Sequence, residues 1–187
     1  LFGPWANGVS QVCFAGGFSS EGWYQIIQEE RVTVWYTSPT ALRMLMRDGA
    51  EVAARYDLSS LRHICSVGEP LNPEVIRWGA TVYGLTIRDN WWQTETGCIL
   101  IANYPFMEVR PGSMGRPFAG TEAAVLDPER YEPNSPNQEG LLALRPRWPS
   151  MFRAYWGKDE LYKEKFRNGW YITGDRAYVD EDGYFWF

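Results

Sequence analysis

Apolar and polar positions in the first half of the chain recur in one order: an apolar or β-branched run, a turn of glycine, serine or proline, then a helical period. Val9 to Phe14 is such a run, and Gly16-Gly17 and Ser19-Ser20 follow it, starting a helix read over Glu21 to Glu30. Val32-Thr33-Val34-Trp35-Tyr36 is β-branched and aromatic, as strands prefer. Ser38 then caps a helix and Pro39 fits its first turn, where a missing N–H costs nothing. Leu42, Leu45 and Met46 fall on one face of it. The order returns with Ile64-Cys65-Ser66-Val67, the turn Gly68-Glu69-Pro70, Asn72 as cap and Pro73 as first helical residue. Val75, Ile76, Gly79, Val82 and Tyr83 line that helix, Gly84 stops it, and Thr86 to Trp91 reads as the next strand. Strands alternating with helices of ~10 residues predict parallel βαβ units with right-handed crossovers.

The second half changes character. Proline and glycine become frequent from Pro105 to Gly120, and short strands follow at Glu122–Leu126, Leu141–Arg145, Trp170–Thr173 and Tyr184–Phe187. One charged helix, Lys158 to Arg167, interrupts them and ends at Asn168-Gly169, and Asp182-Gly183 is a hairpin signal. The fold expected is α/β: parallel βαβ units over 1–108, then a smaller β-rich lobe over 109–187. Both ends read as interior, since Leu1 is not Met and Tyr184-Phe185-Trp186-Phe187 is an apolar run. A fragment of a larger domain is therefore expected.

Composition narrows the partners. With 45% hydrophobic and 22% charged residues the chain is ordinary for a globular protein. A net charge of -5, with Lys and Arg scattered, argues against nucleic acid as partner, because phosphate backbones need a basic face. There is no apolar run of ~20 residues to span a membrane and no leader pattern, and a cytoplasmic setting is expected. Cys13, Cys65 and Cys98 are far apart without zinc spacing, and are read as buried reduced thiols.

Chemistry follows from the strand pattern. If Ile64–Val67 and Thr86–Trp91 are parallel neighbours, their carboxyl ends share one edge, where open α/β sheets bind ligands. Gly68-Glu69-Pro70 and Trp92-Gln93-Thr94-Glu95 then stand on one rim. A planar ligand is expected against the glycine-proline turn, with hydroxyl and carboxylate groups close by.

These residues carry a resemblance. Ser66-Val67-Gly68-Glu69-Pro70-Leu71-Asn72-Pro73, then Asp89-Asn90-Trp91-Trp92-Gln93-Thr94-Glu95-Thr96-Gly97, resemble the acetyl-CoA synthetase branch of the adenylate-forming enzymes. Pro111-Gly112-Ser113-Met114-Gly115-Arg116-Pro117 and Trp170-Tyr171-Ile172-Thr173-Gly174-Asp175 match in order at plausible spacing. The resemblance covers nearly the whole chain. It implies part of the family's N-terminal domain, with a distorted barrel-like second lobe. It also implies coupling of acetate to ATP as acetyl-adenylate, release of pyrophosphate, and transfer of the acetyl group to CoA.

Carried over residue by residue, Gly68, Glu69 and Pro70 form the adenine-side turn. Asp89, Asn90, Trp91, Trp92, Gln93 and Thr94 run along the adenylate, with Thr94 and Glu95 as catalytic residues. Glu95 holds Mg²⁺ beside the phosphates, since a hard cation needs only one or two carboxylates plus phosphates. Asp175 accepts from both ribose hydroxyls. Trp92 closes the acyl pocket and Val67 forms its opposite wall. One methylene is worth only ~1–3 kcal/mol, so propionate competes with acetate.

Plainer roles stand beside these. Trp91 is read as core, facing away from the pocket if Trp92 faces it. His63 is read as structural, Glu69 as an alternative helix cap, and Thr94 and Thr96 as alternative turn formers. Glu160 and Glu164 are spaced to pair with Lys163, Lys165 or Arg167. The family's Gly/Ser/Thr-rich phosphate loop with its lysine, its hinge Arg and Asp, and its C-terminal domain are not found in this sequence, so negligible turnover is expected from the chain alone. Two rivals remain: a carbohydrate-binding module, suggested by ten Trp and 16% aromatics, and a non-catalytic nucleotide-binding piece.

Overall fold

A computed structural model describes residues 2–187. Its helices are α1 (Phe2–Ala6), α2 (Ser20–Glu29), α3 (Pro39–Asp48), α4 (Ala50–Ala53), α5 (Pro73–Tyr83) and α6 (Asp159–Glu164). The strands are β1 (Val34–Thr37), β2 (His63–Ser66), β3 (Ile87–Trp91), β4 (Ile101–Ala102) and β5 (Ser113–Pro117), followed by β6 (Ala123–Leu126), β7 (Gly140–Leu144), β8 (Phe166–Arg167), β9 (Trp170–Val179) and β10 (Phe185–Trp186). They form one sheet in the order β1-β2-β3-β4-β5-β10-β9-β7-β6, with β8 beside β9. The sheet stays open, correcting the barrel-like second lobe; β1 and β6 stand at its two ends and do not pair.

The parallel set is the one the sequence pattern predicts. β1 pairs with β2 and β2 with β3, in register Trp35, Ile64, Ile87 and then Thr37, Ser66, Asp89. Tyr24 and Ile27 of α2, Leu42 and Leu45 of α3, and Val75 and Ile76 of α5 bury against Trp35, Ile64 and Ile87. Each helix begins as its residues demand: Ser19, Ser38 and Asn72 accept from the backbone amides of Gly22, Ala41 and Glu74. The opposite sheet face carries Val34 and Tyr36, both exposed.

β3 is the turning point of the sheet. Its first residues pair in parallel with β2, and Asn90 and Trp91 pair antiparallel with Ala102 and Ile101 of β4. From there a second cluster gathers Trp91, Ile101, Met114, Leu142, Leu144, Trp148, Tyr171 and Phe185. The Asp182-Gly183 hairpin forms, with Gly183 at φ 80° and β9 antiparallel to β10.

Three local readings change. Val9 to Phe14 forms no strand, and Val9, Val12 and Phe14 are exposed, because no described strand offers that run a ladder. The charged helix stops at Glu164. Phe166 and Arg167 instead pair with Tyr171 and Trp170 across Asn168-Gly169, which holds positive φ at both residues as a tight primed turn requires. The cysteines are free but not uniformly buried: Cys13 and Cys98 are exposed and Cys65 is intermediate. Cys13 lies in the loop before α2 and Cys98 in the turn after β3, so neither has an element to cover it. No described helix is long and apolar enough to cross a membrane.

Candidate active site

The carboxyl ends of β2 and β3 open into one cleft of about 450 Å³, lined by Val67, Gly68, Glu69, Pro70, Asn90, Trp91, Trp92, Gln93, Asp175 and Phe187. Gly68 takes φ 99°, which lets the chain turn flat after β2. Glu69 is drawn toward α3: Thr40 Oγ1 donates to both its carboxylate oxygens at 2.7 and 2.9 Å, and Arg43 Nη2 lies 2.6 Å away. Thr40 first and Arg43 second hold this carboxyl below its ordinary range. Asn72, not Glu69, caps α5.

Across the cleft, side chains of the second cluster lock the segment after β3. Asp175 Oδ2 accepts from Trp91 Nε1 at 2.8 Å and from Gln93 Nε2 at 3.0 Å. Gln93 also donates to the Thr173 carbonyl at 3.2 Å, and its Oε1 accepts from the Tyr171 hydroxyl at 3.0 Å. Glu95 Oε1 accepts from the Tyr155 hydroxyl at 2.6 Å. Burial, and then Glu95, push the Tyr155 phenol up to about 12, so it stays a donor at neutral pH. Thr96 is a buried turn former, its hydroxyl donating to the carbonyls of Gln93 and Cys98 at 2.8 Å each. Its own carbonyl accepts from Trp148 Nε1 at 2.9 Å and Ser150 Oγ at 2.6 Å.

The cleft is therefore flat on one side and hydrogen-bonded on the other, with Glu69 and Asp175 as the ionisable side chains among the described residues that line it. A family model described as "AMP-binding enzyme" matches residues 1–156. This chain belongs to the AMP-binding enzyme family.

Within that family the acetyl-coenzyme A synthetase of Bacillus subtilis (strain 168) is 54% identical over 100% of this chain and 33% of its own length. That of Nitrosomonas europaea is 41% identical over 99% of the chain and 30% of its own length. A crystal structure titled Brucella canis Acyl-CoA Synthetase superimposes with a TM-score of 0.87 at 40% identity, covering 98% of this chain and 34% of that one. The chain thus spans about a third of the length of these relatives.

In this chain of the AMP-binding enzyme family most of the residues singled out from sequence converge, with three departures. Trp91 is buried in the core as expected, yet it does not simply face away, because its indole edge reaches Asp175 on the cleft. Asp89 does not line the cleft. It shares the buried face of Ile87 by strand alternation and is only 1% exposed, with both carboxylate oxygens lacking a hydrogen-bond partner. Burial pushes its carboxyl up to about 8. Thr94 and Glu95 lie just beyond the lining, Thr94 exposed and Glu95 half-buried.

His63 begins β2, at the end away from the cleft, and burial followed by Arg88 and Arg62 lowers its pKa. Glu160 pairs with Lys163 at 2.7 Å. Sequence reasoning missed Tyr36, Tyr155 and Tyr171, which hold Trp92, Glu95 and Gln93 from distant segments. The one available signal was Tyr36 itself, an aromatic residue on the uncovered side of an alternating strand.

Proposed function

We propose that this chain forms the adenylate and acyl part of a ligase that activates acetate with ATP and passes the acetyl group to CoA. The observation that carries this reading is the cleft. It joins a flat Gly68-Glu69-Pro70 turn, the Asp175 carboxylate and the Trp92 indole within about 450 Å³, a size suited to a nucleotide. The likeness of the whole chain to acetyl-coenzyme A synthetases supports it.

In this reading an acetate oxygen attacks the α-phosphorus of ATP, the α–β P–O bond breaks, and pyrophosphate leaves. The CoA sulfur then attacks the acyl carbon, its proton passing to solvent, and AMP departs with the acyl-phosphate oxygen. Gly68-Glu69-Pro70 and the Asn90–Gln93 segment flank the base. Asp175, held through Oδ2 by Trp91 and Gln93, keeps Oδ1 for the ribose hydroxyls. Thr94 and Glu95 stand toward the phosphates.

Glu95 fits a magnesium ion as a single carboxylate that still has unused oxygen lone pairs beyond its Tyr155 bond. No group of three His, Cys, Asp or Glu gathers among the described residues, so the remaining ligands would be phosphates and water. The ion supplies charge neutralisation at the phosphates.

No lysine or arginine is among the described residues that line the cleft. Transfer at phosphorus depends on positioned cations, so this reading requires them from residues beyond that lining. The same reading keeps two lobes, 1–108 and 109–187, a cytoplasmic setting, and negligible turnover by the chain alone.

Trp92, 39% exposed and lining the same cleft as Val67, is assigned as the acyl-length gauge. In the full-length enzyme carrying this chain, Trp92→Gly is expected to move preference from acetate toward longer acids by at least ~10-fold in kcat/KM. An unchanged chain-length profile would remove the assignment.

A further inference from the structure

The indole of Trp92 is exposed and packs into neither main hydrophobic cluster, so something else must fix its orientation if it is to gauge length. Its Nε1–H makes one hydrogen bond, to the Tyr36 hydroxyl at 3.1 Å. That hydroxyl in turn donates to Asn90 Oδ1 at 3.0 Å. Tyr36 belongs to β1, whereas Asn90 is the penultimate residue of β3, and β2 lies between them. The Tyr36 and Asn90 side chains together therefore bridge two strand spacings, ~10 Å, on the sheet face that the helices leave uncovered, where Cys65 of β2 is the register partner of Tyr36.

Both hydroxyl roles are filled with the correct polarity. The phenol donates to an amide oxygen and accepts from an indole N–H, and indole can only donate. Burial raises the Tyr36 phenol to about 12, against the opposing effect of its hydrogen bonds with Trp92 and Asn90, so the donor proton is retained across the neutral range. The neighbouring charged groups, Arg88 on β3 and Asp89 behind the sheet, make no hydrogen bond to it.

We propose that Tyr36 is a positioning residue for acyl-chain selectivity, locking the Trp92 indole against Val67 through the chain Asn90–Tyr36–Trp92. The inference rests on the assignment of Trp92 above. A residue that merely covered the sheet would affect all substrates alike, whereas a lock on the indole changes discrimination between them.

The test uses the full-length enzyme carrying this chain, with Tyr36→Phe, Trp92→Gly and the double variant. Values of kcat/KM for acetate, propionate and butyrate are measured beside KM for ATP. Tyr36→Phe keeps the ring at an exposed site and is expected to fold normally. It should lower the acetate-over-butyrate ratio about three- to tenfold, the worth of one hydrogen bond, with KM for ATP changed less than about twofold. In the Trp92→Gly background it should add nothing to the ratio.

An unchanged ratio in Tyr36→Phe, with Trp92→Gly still shifting preference, overturns the lock and leaves the pocket assignment standing. A uniform loss for all three acids, or effects that add in the double variant, also overturns it. No shift in Trp92→Gly overturns the pocket assignment itself.

Discussion

The regions on either side of β3 build the cleft by opposite means. The parallel region buries its apolar side under α2, α3 and α5 and offers the cleft the turn after β2 and the end of β3, with Val67, Glu69 and Trp92 among its lining residues. The antiparallel region offers side chains, with Asp175, Tyr171 and Tyr155 reaching from β9 and its neighbouring loop to Trp91, Gln93 and Glu95. The first side supplies the turn and the walls, and the second holds the segment after β3 in place by hydrogen bonds from distant residues. The parallel side also hides an electrostatic burden, because Thr37, Ser66 and Asp89 lie side by side, buried and without hydrogen-bond partners for their side-chain oxygens.

That burden predicts the largest effect. The folded carboxyl of Asp89, raised to about 8, binds its proton more tightly than the unfolded chain does. Its contribution to stability is full below about pH 4, falls as pH rises toward 8, and is lost above it. Asp89→Asn should flatten this slope and raise unfolding stability at pH 9 by on the order of 3–5 kcal/mol. Urea unfolding from pH 5 to 9 checks it; a wild-type protein whose stability rises with pH while the variant falls would break the comparison.

On the other side, Asp175→Ala removes a charged acceptor from the cleft and leaves the buried Trp91 indole N–H without its partner. KM for ATP in the full-length enzyme should rise about 10- to 100-fold, and unfolding stability should fall by about 1–3 kcal/mol. A variant that melts much earlier but binds ATP normally would make Asp175 a structural residue.

Two glycines sharpen the contrast more finely. Gly68, at φ 99°, has open space where a Cβ would stand, while a Cβ on Gly97, at φ 67°, would overlap the Ser150 carbonyl oxygen. Gly68→Ala should cost only the backbone strain, about 1 kcal/mol, and Gly97→Ala should cost about 2–3 kcal/mol. Equal melting temperatures for the two would show that the turn after β3 yields more readily than its packing implies.

What the sequence revealed follows the same division. Asn72, Pro73 and Gly84 bracket α5, and the run Ile64–Val67 announces β2, because caps and periodicity are local signals. Strand alternation placed the cleft at the carboxyl ends of β2 and β3 before any contact was known. Bonds such as Tyr155 to Glu95 or Tyr36 to Trp92 join residues 60 and 56 positions apart, and no local period encodes them. Asp89 misled for a related reason: a motif names the segment that meets the ligand, not which way each side chain turns. Phe166 and Arg167 escaped the charged helix because the Asn168-Gly169 turn gives them a strand partner in β9.

The most direct test of the acetyl-adenylate reading follows the oxygen atoms. Full-length enzyme carrying this chain is supplied with acetate labelled with ¹⁸O in both positions, ATP, magnesium and CoA, and the products are read by mass spectrometry. The account predicts AMP bearing one labelled oxygen and unlabelled pyrophosphate, with no detectable AMP from the 187-residue chain alone. Label in inorganic phosphate, or AMP released without label, would contradict it.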